Sequence, residues 1–132
     1  GGYAGQKENA EPIRRIFGDT GYLVDTHTGV AAAVYYDYVN RTKDTAKTVI
    51  ASTASPFKFS RSVMEAVQGA GENGNADETA AMDEFAVVDA LSSLSGVPVP
   101  QAVEEIRTAP ILHNLECHVD RMKDTVKGIL KI

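Results

Sequence analysis

The sequence predicts an α/β fold: a helix-rich fragment of a three-layer sheet domain with one or two short parallel strands. Three observations lead there. Thr48-Val49-Ile50-Ala51-Ser52 is a short apolar run, β-branched at its start, which is the pattern of a strand buried on both faces. Thr53-Ala54-Ser55-Pro56 follows, and then a helical spacing, so that strand, tight loop and helix form the unit of an α/β sheet. The rest of the chain reads as helix, five or six segments against one or two strands. A strand covered on both faces needs neighbours on its edges, because unpaired backbone groups in a core are costly. As a sheet protein the chain therefore looks incomplete.

The elements follow in order. Residues 1–10 are polar and glycine-rich and are expected to be loose. A short helix is expected from Glu11 to Phe17, with Pro12 in its first turn and Gly18-Asp19 as its stop. Val30, Val34 and Tyr38, with Ala31 and Tyr35 alongside, mark the buried face of a helix over 28–38, ended by Asn40-Arg41-Thr42. After the 48–52 strand, a helix is expected from about Ser60 to Gln68, with Ser62 and Glu65 fitting a capping box. Gly69 to Asn75 opens a flexible hinge over 69–79. Phe85, Val88, Leu91 and Leu94 predict an amphipathic helix from Met82 to Leu94, stopped by Gly96 and Pro98. Pro100 starts a short helix reaching Arg107, and Ile111-Leu112-His113 is the candidate second strand. A last helix turns Val119, Met122, Val126, Ile129 and Leu130 inward and leaves Lys123, Lys127 and Lys131 as a solvated stripe.

Composition bounds the function. A chain of 132 residues, 43% of them hydrophobic, suits one domain with a lean core. Eighteen acidic against thirteen basic residues give a net charge of −5. No face-sized Lys/Arg cluster is visible, so a nucleic-acid partner is not expected. The longest apolar run, Gly29 to Tyr36, is far too short for a membrane span. A single cysteine, Cys117, allows neither an internal disulfide nor a thiolate zinc site. Without a secretory signal pattern the expected compartment is a reducing cytoplasm. The opening Gly1-Gly2-Tyr3, with no methionine, suggests a piece of something longer.

Four motifs invite a chemical reading. Gly69-Ala70-Gly71-Glu72-Asn73-Gly74 matches GxGxxG, but it follows a helix, and Glu72, Asp77 and Glu78 would repel a phosphate. It reads as a linker. His113, Cys117 and His118 match no standard metal-ligand spacing, and the cysteine reads as a small core filler. Asp25-Thr26-His27-Thr28 places an acid, a histidine and two hydroxyls before a helix, where Asp25 or Thr26 as N-cap accounts for most of the pattern without catalysis. Ser52-Thr53-Ala54-Ser55-Pro56 carries equal weight for two readings. One is a hydroxyl-rich turn that caps the next helix. The other is a set of short hydroxyls aimed at a ligand in a sheet crevice.

Gly21-Tyr22-Leu23-Val24-Asp25-Thr26-His27-Thr28-Gly29-Val30-Ala31, followed by Val49-Ile50-Ala51-Ser52-Thr53-Ala54-Ser55-Pro56-Phe57-Lys58-Phe59, resembles threonine synthase. Leu94-Ser95-Gly96-Val97-Pro98-Val99-Pro100 and Pro110-Ile111-Leu112-His113 look like that family's C-terminal region, in the same order. The resemblance implies the C-terminal part of a pyridoxal-phosphate enzyme of the tryptophan-synthase-β-like fold, which converts O-phosphohomoserine and water to threonine and phosphate. It also implies a cofactor contact: the residue matching the family's partner of the pyridine nitrogen is Thr53. The remaining partners it implies are the rest of the enzyme chain and O-phosphohomoserine, with no catalytic residue of its own in this chain. The cofactor-anchoring lysine and the glycine-rich phosphate loop of the family lie upstream, and Lys58 belongs to the S-T-A-S-P-F-K-F segment and is not that lysine. Alone, the chain is expected to be inactive.

Some positions depart from the family pattern. Thr26 and Ser60 stand where proline is common, and Ser55 where some members carry histidine. These leave the Thr53 assignment intact and weaken any role for Ser55. Two alternatives stand beside this reading: a fragment of a related pyridoxal-phosphate enzyme, such as a threonine dehydratase or cysteine synthase, and a small acidic interaction module without catalysis.

Overall fold

Three of the helices begin where a side chain answers the free amides of a first turn. The first, α1 (Gln6–Thr20), starts after Gly5, whose N–H donates to Glu8 Oε2 at 2.6 Å. Asp25 caps α2 (Thr26–Thr42) by accepting the His27 N–H at 2.8 Å. Asp83 caps α5 (Glu84–Ser95) by accepting the N–H groups of Phe85 and Ala86. Between them lie a 3₁₀ turn, Pro56–Phe59, then α3 (Ser60–Gln68) and α4 (Ala76–Ala81). Beyond α5 come α6 (Gln101–Ile106), a 3₁₀ turn at Val119–Arg121 and α7 (Met122–Leu130). The computed structural model describes residues 1–69 and 76–132, apart from the side chains of 6, 7 and 76–78.

The α/β expectation is overturned. Among the described residues there is no strand and no sheet. Residues 48–52 run as non-helical chain with Val49 95% exposed, and residues 111–113 do likewise with Ile111 and Leu112 exposed. The reason is physical. A strand exists only through a ladder of hydrogen bonds to a second strand, and the described chain supplies none to either segment. An apolar pattern carries no information on where a partner strand would come from.

The core forms instead where α3 lies against α1 on one side and α5 on the other, with α2 packed on α1. Ile13, Leu23, Val24, Phe57, Val63, Met64, Ala66, Val87, Val88 and Leu91 fill it. Arg61 of α3 fastens the α4–α5 corner through Glu84 at 2.9 Å and the carbonyls of Thr79 and Met82 at 2.5 and 2.8 Å. Those two carbonyls lie at and just past the end of α4, where helical partners run out, and that of Thr79 also accepts the Met82 N–H at 3.3 Å.

Several expected boundaries and faces shift. The helix begins at Gln6, so residues 6–10 are helical rather than loose, and it runs through Gly18 to stop at Gly21, whose φ of +71° suits glycine. Pro12 is therefore inside the helix, not in its first turn. In α2 the buried face consists of Thr28, Gly29 and Ala32, while Val30 and Val34 are half-buried and Tyr38 is exposed. Gly29 explains the choice, since a Cβ there would lie 2.0 Å from Asn9 Oδ1 and 2.7 Å from Ile13 Cγ1 of α1. Smallness, more than hydrophobicity, decides which face of α2 meets α1. Ser62 and Glu65 make no capping box, because the helix has already begun at Ser60. Of the expected hinge over 69–79, residues 70–75 lie outside the described residues and 76–79 belong to α4. Finally, the apolar side of α7 is not inward: Val119, Met122, Val126, Ile129 and Leu130 are all at least half exposed.

Candidate functional site

Asp25 has a fully buried side chain at the start of α2, and both its oxygens are engaged. Oδ1 accepts the His27 N–H at 2.8 Å and faces His27 Nδ1 at 2.9 Å. A carboxylate only accepts, so Nδ1 carries the ring hydrogen and Nε2 is left as the acceptor of the neutral ring. Oδ2 accepts the Thr28 hydroxyl at 2.5 Å. Burial by itself pushes the Asp25 carboxyl up. The hydrogen bonds from the Thr28 hydroxyl, the His27 amide and ring, and the Thr28 amide outweigh it and hold the pKa below the usual carboxylate range.

The network reaches a second motif. Thr28 Oγ1 lies 3.1 Å from Ser52 Oγ, across 24 residues of chain. A hydroxyl has one hydrogen to give, and that of Thr28 goes to Asp25, so Ser52 donates the one between the two hydroxyls. The D-T-H-T segment and the S-T-A-S-P segment thus meet in space. At the far end of the loop, Ser55 Oγ accepts the Phe57 N–H at 3.2 Å and caps the 3₁₀ turn, as the capping reading expects. Phe57 itself is buried in the core. Thr53 sits between these two fixed hydroxyls. It is exposed, and its own hydroxyl has no partner among the described residues. The His27 ring stands 5.3 Å from the Phe59 ring in an edge-on contact, closing one side of the cluster.

The other candidates gather nothing of this kind. Gly69 ends α3 with φ +83°, and the remainder of the GxGxxG segment lies outside the described residues. Among the described residues no three side chains of the His, Cys, Asp and Glu types come together in a way that could hold a metal. Cys117 is exposed and fills no core, and His118 caps the turn that precedes α7. Among the described residues, no helix is long and apolar enough to cross a membrane.

Sequence reasoning had both motifs and missed their junction. Asp25 was legible as a cap and Ser52 as a loop hydroxyl. Only the packing of α2 beside residues 48–55 shows that Thr28 connects them.

A helical domain carrying a buried acid and a row of loop hydroxyls is a scaffold for presenting polar groups, and by itself it names no reaction. The family model described as threonine synthase, C-terminal, matches residues 28–126, three quarters of the chain and all of the S-T-A-S-P segment. The chain belongs to the threonine synthase C-terminal family, which places the complete protein in an enzyme family of threonine biosynthesis. No curated protein and no solved structure matches it.

Proposed function

We propose that this chain is the part of a threonine synthase that presents Thr53 to the pyridine nitrogen of pyridoxal phosphate. The complete enzyme then converts O-phosphohomoserine and water to threonine and phosphate. The observation that carries the reading is the family match across the S-T-A-S-P segment, in which the hydroxyl without a partner among the described residues is that of exposed Thr53. The residues fit the group. A hydroxyl free of protein partners can donate to a neutral ring nitrogen and will not protonate it. The cofactor held this way supplies a weaker electron sink than one paired with a carboxylate, which sets how it partitions carbanion chemistry.

In this role the chain binds and orients, and the bond-making groups belong to the rest of the enzyme chain, its partner. Lys58 lies in the S-T-A-S-P-F-K-F segment beside the Phe59 ring and is not the cofactor-anchoring lysine. The isolated chain is accordingly inactive. The exposed apolar residues Val49, Ile111, Leu112 and those of α7 suit burial against that partner. Net negative charge suits neither nucleic acid nor an anionic membrane surface, and an exposed free thiol suits a reducing cytoplasm.

The deciding experiment assays the complete enzyme for threonine and phosphate from O-phosphohomoserine, with threonine and O-acetylserine as competing substrates. Turnover of O-phosphohomoserine alone is expected. Ammonia from threonine would support a dehydratase-like parent in its place. Titration of the isolated chain with pyridoxal phosphate at micromolar concentration is expected to induce no absorbance band beyond that of the free cofactor.

A further inference from the structure

We propose that Asp25, Thr28 and Ser52 are positioning residues that hold Thr53 in place from the upstream side. The proposal rests on the reading of Thr53 given above, and adds to it the device that fixes this residue. A single exposed threonine in a loop has many rotamers and backbone states open to it, and a useful hydroxyl needs few. Here the loop is pinned at both ends. Downstream, Ser55 is tied to the amide of buried Phe57. Upstream, Ser52 is tied to Thr28, and Thr28 to a carboxylate with no solvent exposure. Two residues, Thr53 and Ala54, span the interval.

The upstream tie has an ordered logic. Asp25 is fixed by the start of α2, since it caps that helix and takes the His27 amide and ring on Oδ1. Its Oδ2 then dictates where the Thr28 hydrogen points. That leaves the Thr28 oxygen as an acceptor, so Ser52 must approach as a donor, in one orientation. The ring of His27 is held by the same carboxylate and packs edge-on to Phe59, at the end of the turn that follows the loop. One buried acid thereby sets both sides of the segment.

The test measures backbone and methyl order parameters at Thr53 and Ala54 by NMR relaxation in the whole 132-residue chain. Ser52→Ala removes the tie at an exposed position and leaves the Asp25–Thr28 bond intact, so it does not threaten the fold. It is expected to lower the order parameters at 53–54 from about 0.85 toward about 0.6 or less. Thr28→Val should do the same and Thr28→Ser should restore order, while the double variant Thr28→Val/Ser52→Ala should be no looser at 53–54 than Ser52→Ala alone. In the complete enzyme, Ser52→Ala should shift the cofactor absorbance band and lower kcat about two- to tenfold, as loss of one hydrogen bond would. Unchanged order parameters in Ser52→Ala, or additive loosening in the double variant, overturn the proposal. Loosening at 53–54 together with a silent Thr53→Val variant would keep the tie and overturn the ring-nitrogen reading instead.

Discussion

At the scale of single residues, Thr53 and Ser55 are two hydroxyls, two positions apart, with different work. Ser55 is a cap with a named partner, and Thr53 has none among the described residues. In the complete enzyme, Thr53→Val is expected to lower turnover about tenfold to a hundredfold and to alter the cofactor spectrum, since it strips the ring nitrogen of a donor worth roughly 1–3 kcal/mol in a buried site. Ser55→Ala should act mainly on melting temperature, at about 1 kcal/mol for a lost cap. Assaying rate and thermal midpoint for both variants separates them, and a Thr53→Val enzyme with normal rate and spectrum would refute the assignment. Asp25 gives a second prediction. Its folded pKa lies below the unfolded value of about 3.9, so its contribution to stability is complete above that pH and is lost as pH falls through the folded pKa. Urea unfolding followed from pH 6 down to pH 2 should show the wild-type advantage over Asp25→Asn shrinking below about pH 4. An advantage that stayed constant to pH 2 would mean the carboxylate is not what the network depends on.

At the scale of elements, the two glycines of the first helix pair make opposite predictions. Gly29→Ala would drive a methyl group to 2.0 Å from Asn9 Oδ1 and 2.7 Å from Ile13. Ile13 is 1% exposed and has no free direction, so the helices must part, at a cost of about 1–3 kcal/mol. Gly18→Ala sits within α1 with nothing within 4 Å of the new methyl group and should stabilise by roughly 0.5–1 kcal/mol. Chemical denaturation of the two variants checks both signs. The pair also shows what was legible in the sequence and what was not. Helical periodicity located α2 and α5 within a few residues, because an amphipathic stripe is a local property, and Pro100 as a start signal located α6. It misjudged the buried face of α2, since that face is chosen by how near α1 can come, and the partner of a helix is not written in its own spacing. The strand at 48–52 failed for a related reason: β-branched apolar residues register a demand for cover, and a ladder needs a second segment to exist. Of the site, the hydroxyl-rich loop and the acid were visible as residue types. The bond from Thr28 to Ser52 was not, because it spans 24 positions and depends on tertiary packing alone.

At the scale of the whole molecule, the chain divides into a helical body and an extended C-terminal arm. The side chains of Ile111, Leu112, Leu115 and Met122 are exposed, and the main neighbour of α7 is the turn just before it. An arm that buries so little adds little to the stability of the body. A chain ending at Arg107 is therefore expected to unfold within about 0.5 kcal/mol of the full chain. Urea titration of the two would detect a larger loss, which would place the arm's apolar residues in contact with the body. The arm should nonetheless matter in solution, because so much uncovered apolar surface promotes self-association that the shortened chain would lack.

The close approach of α1 to α2 bears on how such a domain is excised for laboratory use or moved between proteins by recombination. The family-model match begins at residue 28, inside the first turn of α2. Much of what α2 rests on precedes that point: Asn9 and Ile13 against Gly29, Leu23 and Val24 in the core, Asp25 as the cap. A gene cut at the start of that match would encode a polypeptide stripped of its first helix and of the acid beneath its loop. The family match and the folded unit thus have their borders at different places in this chain, and a splice that respects only the former would yield a product without a foundation.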